Sequence, residues 1–228
     1  MPFDPSKIKL GRHIDHDERN RDHGIMVRDG QRFVSTLWQP LGKLLDQGDT
    51  GSCTGQAADG WRGCSPNVAS VADAEKYDEA HAMKIYTLAT ELDNIPGYYP
   101  VQDTGSTGNA AAKAMRQLGD IRSYSWAFTT TGLLTALQTG PVMVGTVWTE
   151  AMFSPNSSGF VRPIGQVAGG HEYLVHGVHL GATPGDQWLI CRNSWGDWGP
   201  LGDGRFLLRL ADWETLRRQG ADVTIPRL

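Results

Sequence analysis

The 228-residue sequence predicts an α+β fold on three observations. Helical periodicity concentrates in the first half of the chain. Runs rich in β-branched residues concentrate in the second half. The strand–helix–strand alternation of a parallel sheet is missing, so helices and strands are segregated. Hydrophobic content of 39% and charged content of 20% are ordinary for a globular chain. The length suffices to bury a sizeable core, in one large domain or two small lobes.

Residues 1–32 are polar and charged, and read as an extended arm lying on the surface or partly disordered. Its His13, His16 and His23 have no metal-ligand partner motif and read as solvated loop histidines. Residues 33–45 carry Leu37, Trp38, Leu41, Leu44 and Leu45 around Pro40, an irregular apolar approach. Gln56, Ala57, Ala58 and Trp61 fit a helix opening at Cys53. Residues 73–92 read as one amphipathic helix, with Tyr77, Ala80, Lys84 and Leu88 at helical spacing. A turn-rich stretch at 96–100 follows, then Asp103-Thr104-Gly105-Ser106 leading into a helix at 109–118 that Gly119 ends. A short helix at 133–138 closes at Gly140-Pro141. Strands are predicted at 142–148, 172–180, 187–192 and 205–210, and a short terminal helix around 216–219.

Charge and composition narrow the function. A net charge of −4 shows no basic excess of the kind that nucleic acid or an anionic membrane would require. No apolar run is long enough to span a bilayer, and the first residues lack the pattern of a secretory signal. The expected location is therefore the cytoplasm or a virion. Three cysteines leave at least one unpaired, and Cys53, Cys64 and Cys191 lack zinc-ligand spacing. Neither a metal nor an organic cofactor is expected.

Chemistry concentrates in three stretches. Gln47-Gly48-Asp49-Thr50-Gly51-Ser52-Cys53 sets a thiol at a helix start, where unpaired N–H groups and the helix dipole favour a thiolate. Gly169-Gly170-His171 offers an imidazole on a strand that small residues allow to approach another lobe. Asn193-Ser194-Trp195-Gly196 offers a carboxamide able to orient that ring. Gln47 is the candidate donor to the oxygen that becomes negative in acyl transfer, with the backbone N–H of Cys53. Taken singly, each has a plainer reading: a small buried cysteine, a strand histidine, a turn. His176 and His179 compete for the base role without local features to promote them. Glu172 alternates to the opposite face from His171, and no catalytic role is assigned to it.

Together these stretches resemble the papain-like (C1) cysteine peptidases, over about residues 33–210. The family's Gln-Gly-x-x-Gly-Ser-Cys is matched at Gln47–Cys53, its Gly-His strand at Gly170-His171, and its Asn-Ser-Trp-Gly at Asn193–Gly196. Gly140-Pro141-Val142 and Gly202-Asp203-Gly204-Arg205-Phe206 resemble further family segments. The resemblance implies two lobes within residues 33–228, a helical one near 50–130 with Cys53 and a β-rich one near 131–228 with His171 and Asn193. It implies Cys53 as nucleophile, His171 as general base and acid, Asn193 as orienter, Gln47 as oxyanion donor and Trp195 as a shield over the His171–Asn193 bond. Gly105 and Gly170 would line the cleft for an extended peptide.

Thr50 and Thr54 stand where many secreted members have a disulfide cysteine and a Trp, and Gly-Ser-Cys-Thr is similar to bacterial and phage members. The arm is much shorter than inhibitory propeptides of secreted relatives, which argues against a zymogen while leaving the arm able to cover the cleft. The expected function is peptide-bond hydrolysis through a thioester. The alternatives are a cell-wall peptide hydrolase, or an assembly component of a phage particle whose partners would be particle proteins.

Overall fold

The computed structural model describes residues 4–15 and 17–228. The architecture is mixed helix and antiparallel sheet. A seven-stranded sheet runs β2 (Ser123–Trp126), β7 (Asp222–Arg227), β3 (Val142–Thr149), β4 (Val167–Leu180), β5 (Gln187–Arg192), β6 (Arg205–Arg209), with the two-residue β1 (Thr36–Leu37) paired to β4.

β3 and β4 lie at the centre and are buried on both faces, which is why their sequences read as nearly continuous apolar runs. Alternation along them separates two cores. Val144, Tyr173 and Val175 join one cluster with Trp148, Trp198, Phe206 and Trp213. Met143 and Leu174 face the other cluster, built on α1 (Cys53–Arg62), α3 (Glu79–Leu92) and α4 (Gly108–Leu118). The helical side thus packs on the outer face of the very strands whose inner face holds the aromatic core.

The helices follow local rules. Thr107 caps α4 through the N–H of Ala110 (3.0 Å), and Gly119 ends it at φ 82°. The helix expected over 73–92 is instead two, α2 (Val71–Ala74) and α3, because Asp78 leaves helical geometry and caps the N–H groups of Ala80 and His81. Tyr77, 3% exposed, then packs in a small satellite core with Val68 and Ala74. The C-terminal helix, α6, starts earlier than expected, at Leu210–Arg218, and α5 spans Thr130–Leu137.

The arm lies largely on the surface as expected, but the expectation fails at Gly11 and Arg12. Short 3-10 turns form at Pro5–Lys7 and Glu18–His23, and the segment between them enters the protein, with Gly11 and Arg12 buried. His16 lies outside the described residues. Among those residues no helix is long and apolar enough to cross a membrane.

Candidate active site

Cys53 is the first residue of α1 and is fully buried. The segment before it is held by Thr50, whose hydroxyl donates to the Gln47 carbonyl (2.8 Å) and meets the Ser52 hydroxyl (2.8 Å). The helix start alone favours a thiolate, but here burial dominates and pushes the thiol up to about 12. The backbone N–H groups of Glu172 and Gly11 approach the sulfur and offset only part of this. Burial therefore opposes the thiolate that the helix start favours.

His171 sits on β4 opposite Thr146 of β3. Its Nε2 lies 2.7 Å from Asn193 Oδ1. That oxygen also accepts the Ser194 N–H at 2.7 Å, which fixes it as the acceptor and makes His171 Nε2 the protonated nitrogen. Nδ1 therefore carries the free lone pair, and it has no hydrogen-bond partner. Burial lowers the ring to about 4, against the opposing effect of Asn193. Burial thus favours the neutral imidazole, with Nδ1 unpartnered. Because the Glu172 N–H approaches the Cys53 sulfur, the His171–Glu172 segment abuts the start of α1.

Aromatic rings pack around the buried His171–Asn193 pair. Trp195 lies over the ring at 4.6 Å between centroids, and Trp148 meets His171 and Trp195 edge-on at 5.1 and 5.3 Å. Gln47 is oriented by one of these rings and by Ser194. Its Oε1 accepts from Trp195 Nε1 (3.2 Å), which can only donate, and from the Ser194 hydroxyl (2.8 Å). The Nε2 donors are thereby turned away, toward the carbonyls of Lys9 (3.0 Å) and Thr50 (2.8 Å).

The arm occupies the groove that these residues edge. Arg12 N–H donates to the Gly170 carbonyl (3.0 Å), His13 N–H to the Ser106 carbonyl (2.8 Å), and Ser106 N–H to the Gly11 carbonyl (2.8 Å). A Cβ on Gly105 or Gly170 would overlap arm backbone, so both candidate cleft residues do border an extended chain. Lys9 reaches Asp103 (2.6 Å), whose carboxylate also accepts the Gly51 N–H (2.9 Å) and the Tyr86 hydroxyl. The Arg12 side chain enters a pocket beside Asp222 and Glu172.

The remaining candidates are engaged elsewhere. His176 Nδ1 donates to the Trp38 carbonyl (2.8 Å), and His179 stacks on Trp188 at 4.0 Å. His13 Nε2 bonds the Thr104 carbonyl (2.7 Å). Cys53, Cys64 and Cys191 are free thiols, all buried. Among the described residues, no three His, Cys, Asp or Glu side chains are grouped to hold a metal ion. Trp148, Asp222 and Arg12 are additions that sequence reasoning missed. Glu172 does leave the His171 face as alternation requires, and it lands in the pocket.

No family model and no curated protein matches the sequence. Solved structures do. Xylellain, a cysteine protease from Xylella fastidiosa, superposes with a TM-score of 0.65 at 18% identity, spanning 97% of this chain and 96% of that one. The chain has the papain-like cysteine protease fold. A procathepsin B from Trypanosoma congolense gives 0.66 at 11% identity, over 98% and 88% of the two chains. A digestive procathepsin L2 from Tenebrio molitor larval midgut gives 0.60 at 18%, over 100% and 81%.

Proposed function

We propose that the chain is a cysteine peptidase that hydrolyses peptide bonds through Cys53, His171 and Asn193, and that the arm holds it latent. The observation that carries this reading is the His171 ring. Its Nε2–H is committed to Asn193, while its unpaired Nδ1 sits on a strand that abuts the thiol-bearing end of α1. Likeness of fold at this identity supports the reading only through architecture. The roles rest on the chemistry of the side chains.

With the arm displaced, an extended peptide takes the groove along Gly105-Ser106 and Gly170. His171 Nδ1 accepts the Cys53 proton, and the resulting thiolate attacks the peptide carbonyl carbon. The C–S bond forms, and the carbonyl oxygen becomes negative. The Gln47 Nε2–H that the departure of Lys9 frees and the Cys53 backbone N–H stabilise that charge. The imidazolium then gives its proton to the leaving amine as the C–N bond breaks, leaving a thioester. Water, deprotonated by His171 Nδ1, attacks the thioester carbon and releases the acid and the Cys53 thiol.

The test is digestion of a reduced, alkylated protein by the full chain carrying Gly11→Ala to loosen the arm. Purified cell wall and the native chain serve as parallel samples. Cleavage of the unfolded protein that Cys53→Ala abolishes supports the reading. Release of cell-wall peptides alone would move the assignment to that substrate, and inertness toward both would overturn it.

A further inference from the structure

The pocket that receives Arg12 is more specialised than an anchor for the arm requires. The Arg12 side chain is wholly buried, and its Nη2 donates to the Gly220 carbonyl (2.8 Å) and to Asp222. Glu172, also buried, faces the same guanidinium, and neither of its carboxylate oxygens has a hydrogen-bond partner. Arg12 Nε and Nη1 are likewise unpartnered. The floor is backbone. A Cβ on Gly145 of β3 would come within 2.5 Å of both Arg12 Nε and Glu172 Oε2, and one on Gly108 of α4 within 2.9 Å of Glu172 Oε1. Two acidic side chains, one of them bonded, therefore face one cation in a space opened by two glycines.

Buried acids without a counter-cation are costly, and burial together with the Asp222 charge drives Glu172 well above the usual carboxylate range. The cation in this pocket comes from a segment that crosses the groove through main-chain bonds at Gly11, Arg12 and His13 and side-chain bonds at Lys9 and His13. The pocket adjoins the Cys53 thiol, since the N–H of Glu172 approaches its sulfur and the Arg12 charge acts on it. Acceptors at both ends of the group, Asp222 and the Gly220 carbonyl at Nη2 and Glu172 on the Nε side, suit the length of a guanidinium better than a compact ammonium.

We infer that Glu172, Asp222 and the Gly220 carbonyl form an arginine-specificity pocket, in which Arg12 stands in for an arginine side chain of the polypeptide substrate. Its role in cleavage rests on the peptidase reading; its binding of a guanidinium does not.

Two measurements on the full chain test this separately. In the first, N-acetyl-arginine methylamide and its neutral citrulline analogue are titrated against the Arg12→Ala chain while the thermal unfolding midpoint is followed. The arginine probe should raise the midpoint and the citrulline probe should not. Native chain, whose pocket is filled, and Arg12→Ala with Asp222→Asn should respond to neither. Equal response to the two probes, or none in the Arg12→Ala chain, overturns the inference.

In the second, which does not depend on Arg12→Ala folding, the Gly11→Ala chain is given peptides with arginine or citrulline at each of the three residues before the cleaved bond. One position should favour arginine by at least about 100-fold in kcat/KM, and Asp222→Asn should erase the preference. Cleavage without that preference overturns the pocket and leaves the peptidase. Probe binding with no cleavage of any peptide leaves the pocket and overturns the peptidase.

Discussion

Gly11→Ala isolates the arm as the cause of latency. The Gly11 Cα lies against the backbone of Gly51, and an added Cβ would overlap the Gly51 carbonyl oxygen, its carbon and its Cα. None of these can swing aside as a side-chain tip would, and Gly51 is tied to Asp103 through its N–H at 2.9 Å. Overpacking of this kind costs roughly 1–3 kcal/mol, and only the arm-seated state bears it. The unseated population should therefore rise by about 5- to 150-fold, at 1.4 kcal/mol per decade. Alkylation of Cys53 by iodoacetamide, followed by intact mass, reads that population directly. Cys64 and Cys191 are buried thiols, one in each of the two packed cores, and act as internal controls for the rest of the fold. Faster labelling of Cys53 with Cys64 and Cys191 unchanged is the expected result. An unchanged Cys53 rate would refute the view that the arm closes the site, and acceleration of all three thiols would mean that the substitution had loosened the whole protein.

Other consequences follow from the same contacts. Gln47→Glu keeps the Oε1 that Trp195 and Ser194 bond but removes the Nε2 donors, so kcat on a peptide should fall by about 10²–10³-fold while Cys53 alkylation speeds up. Asn193→Ala frees the His171 ring and should lower kcat by about 10- to 100-fold, the range of one bond to a group that becomes charged, whereas Asn193→Asp restores the acceptor and much of the rate. Burial lowers both His171 and His176 to about 4, so below pH 6.5 the unfolded chain binds protons that the native chain refuses. Stability should thus fall as pH drops from 6.5 toward 4, by an amount on the order of 3 kcal/mol for each ring. Urea unfolding across that range checks it, and His176→Gln should flatten the slope.

Motif chemistry was legible in the sequence because it is local. The spacing from Gln47 to Cys53, the glycines before His171 and the Asn-Ser-Trp-Gly stretch each name their candidate before any fold is known. The aromatic partner Trp148 was not legible, since it reaches His171 only through the β3–β4 register that sets Thr146 opposite His171. Alternation correctly turned Glu172 away from His171, but where that face leads depends on Asp222, in a strand without a readable signal. β7 contains Pro226, a residue that argues against strands; it is tolerated because it lies beyond the last β3 partner, with only β2 alongside. The arm was misread at Gly11 and Arg12 for a related reason. Its polar sequence has no periodicity, and its burial comes from a groove that distant segments assemble.

The most direct test of the Cys53–His171 chemistry is single-site labelling of the Gly11→Ala chain by a thiol-reactive epoxide at mildly acidic pH, with and without His171→Ala. One rapid adduct at Cys53, slowed at least about 100-fold when His171 is removed, is the predicted result. Labelling that is indifferent to His171, or spread equally over Cys53, Cys64 and Cys191, would contradict it.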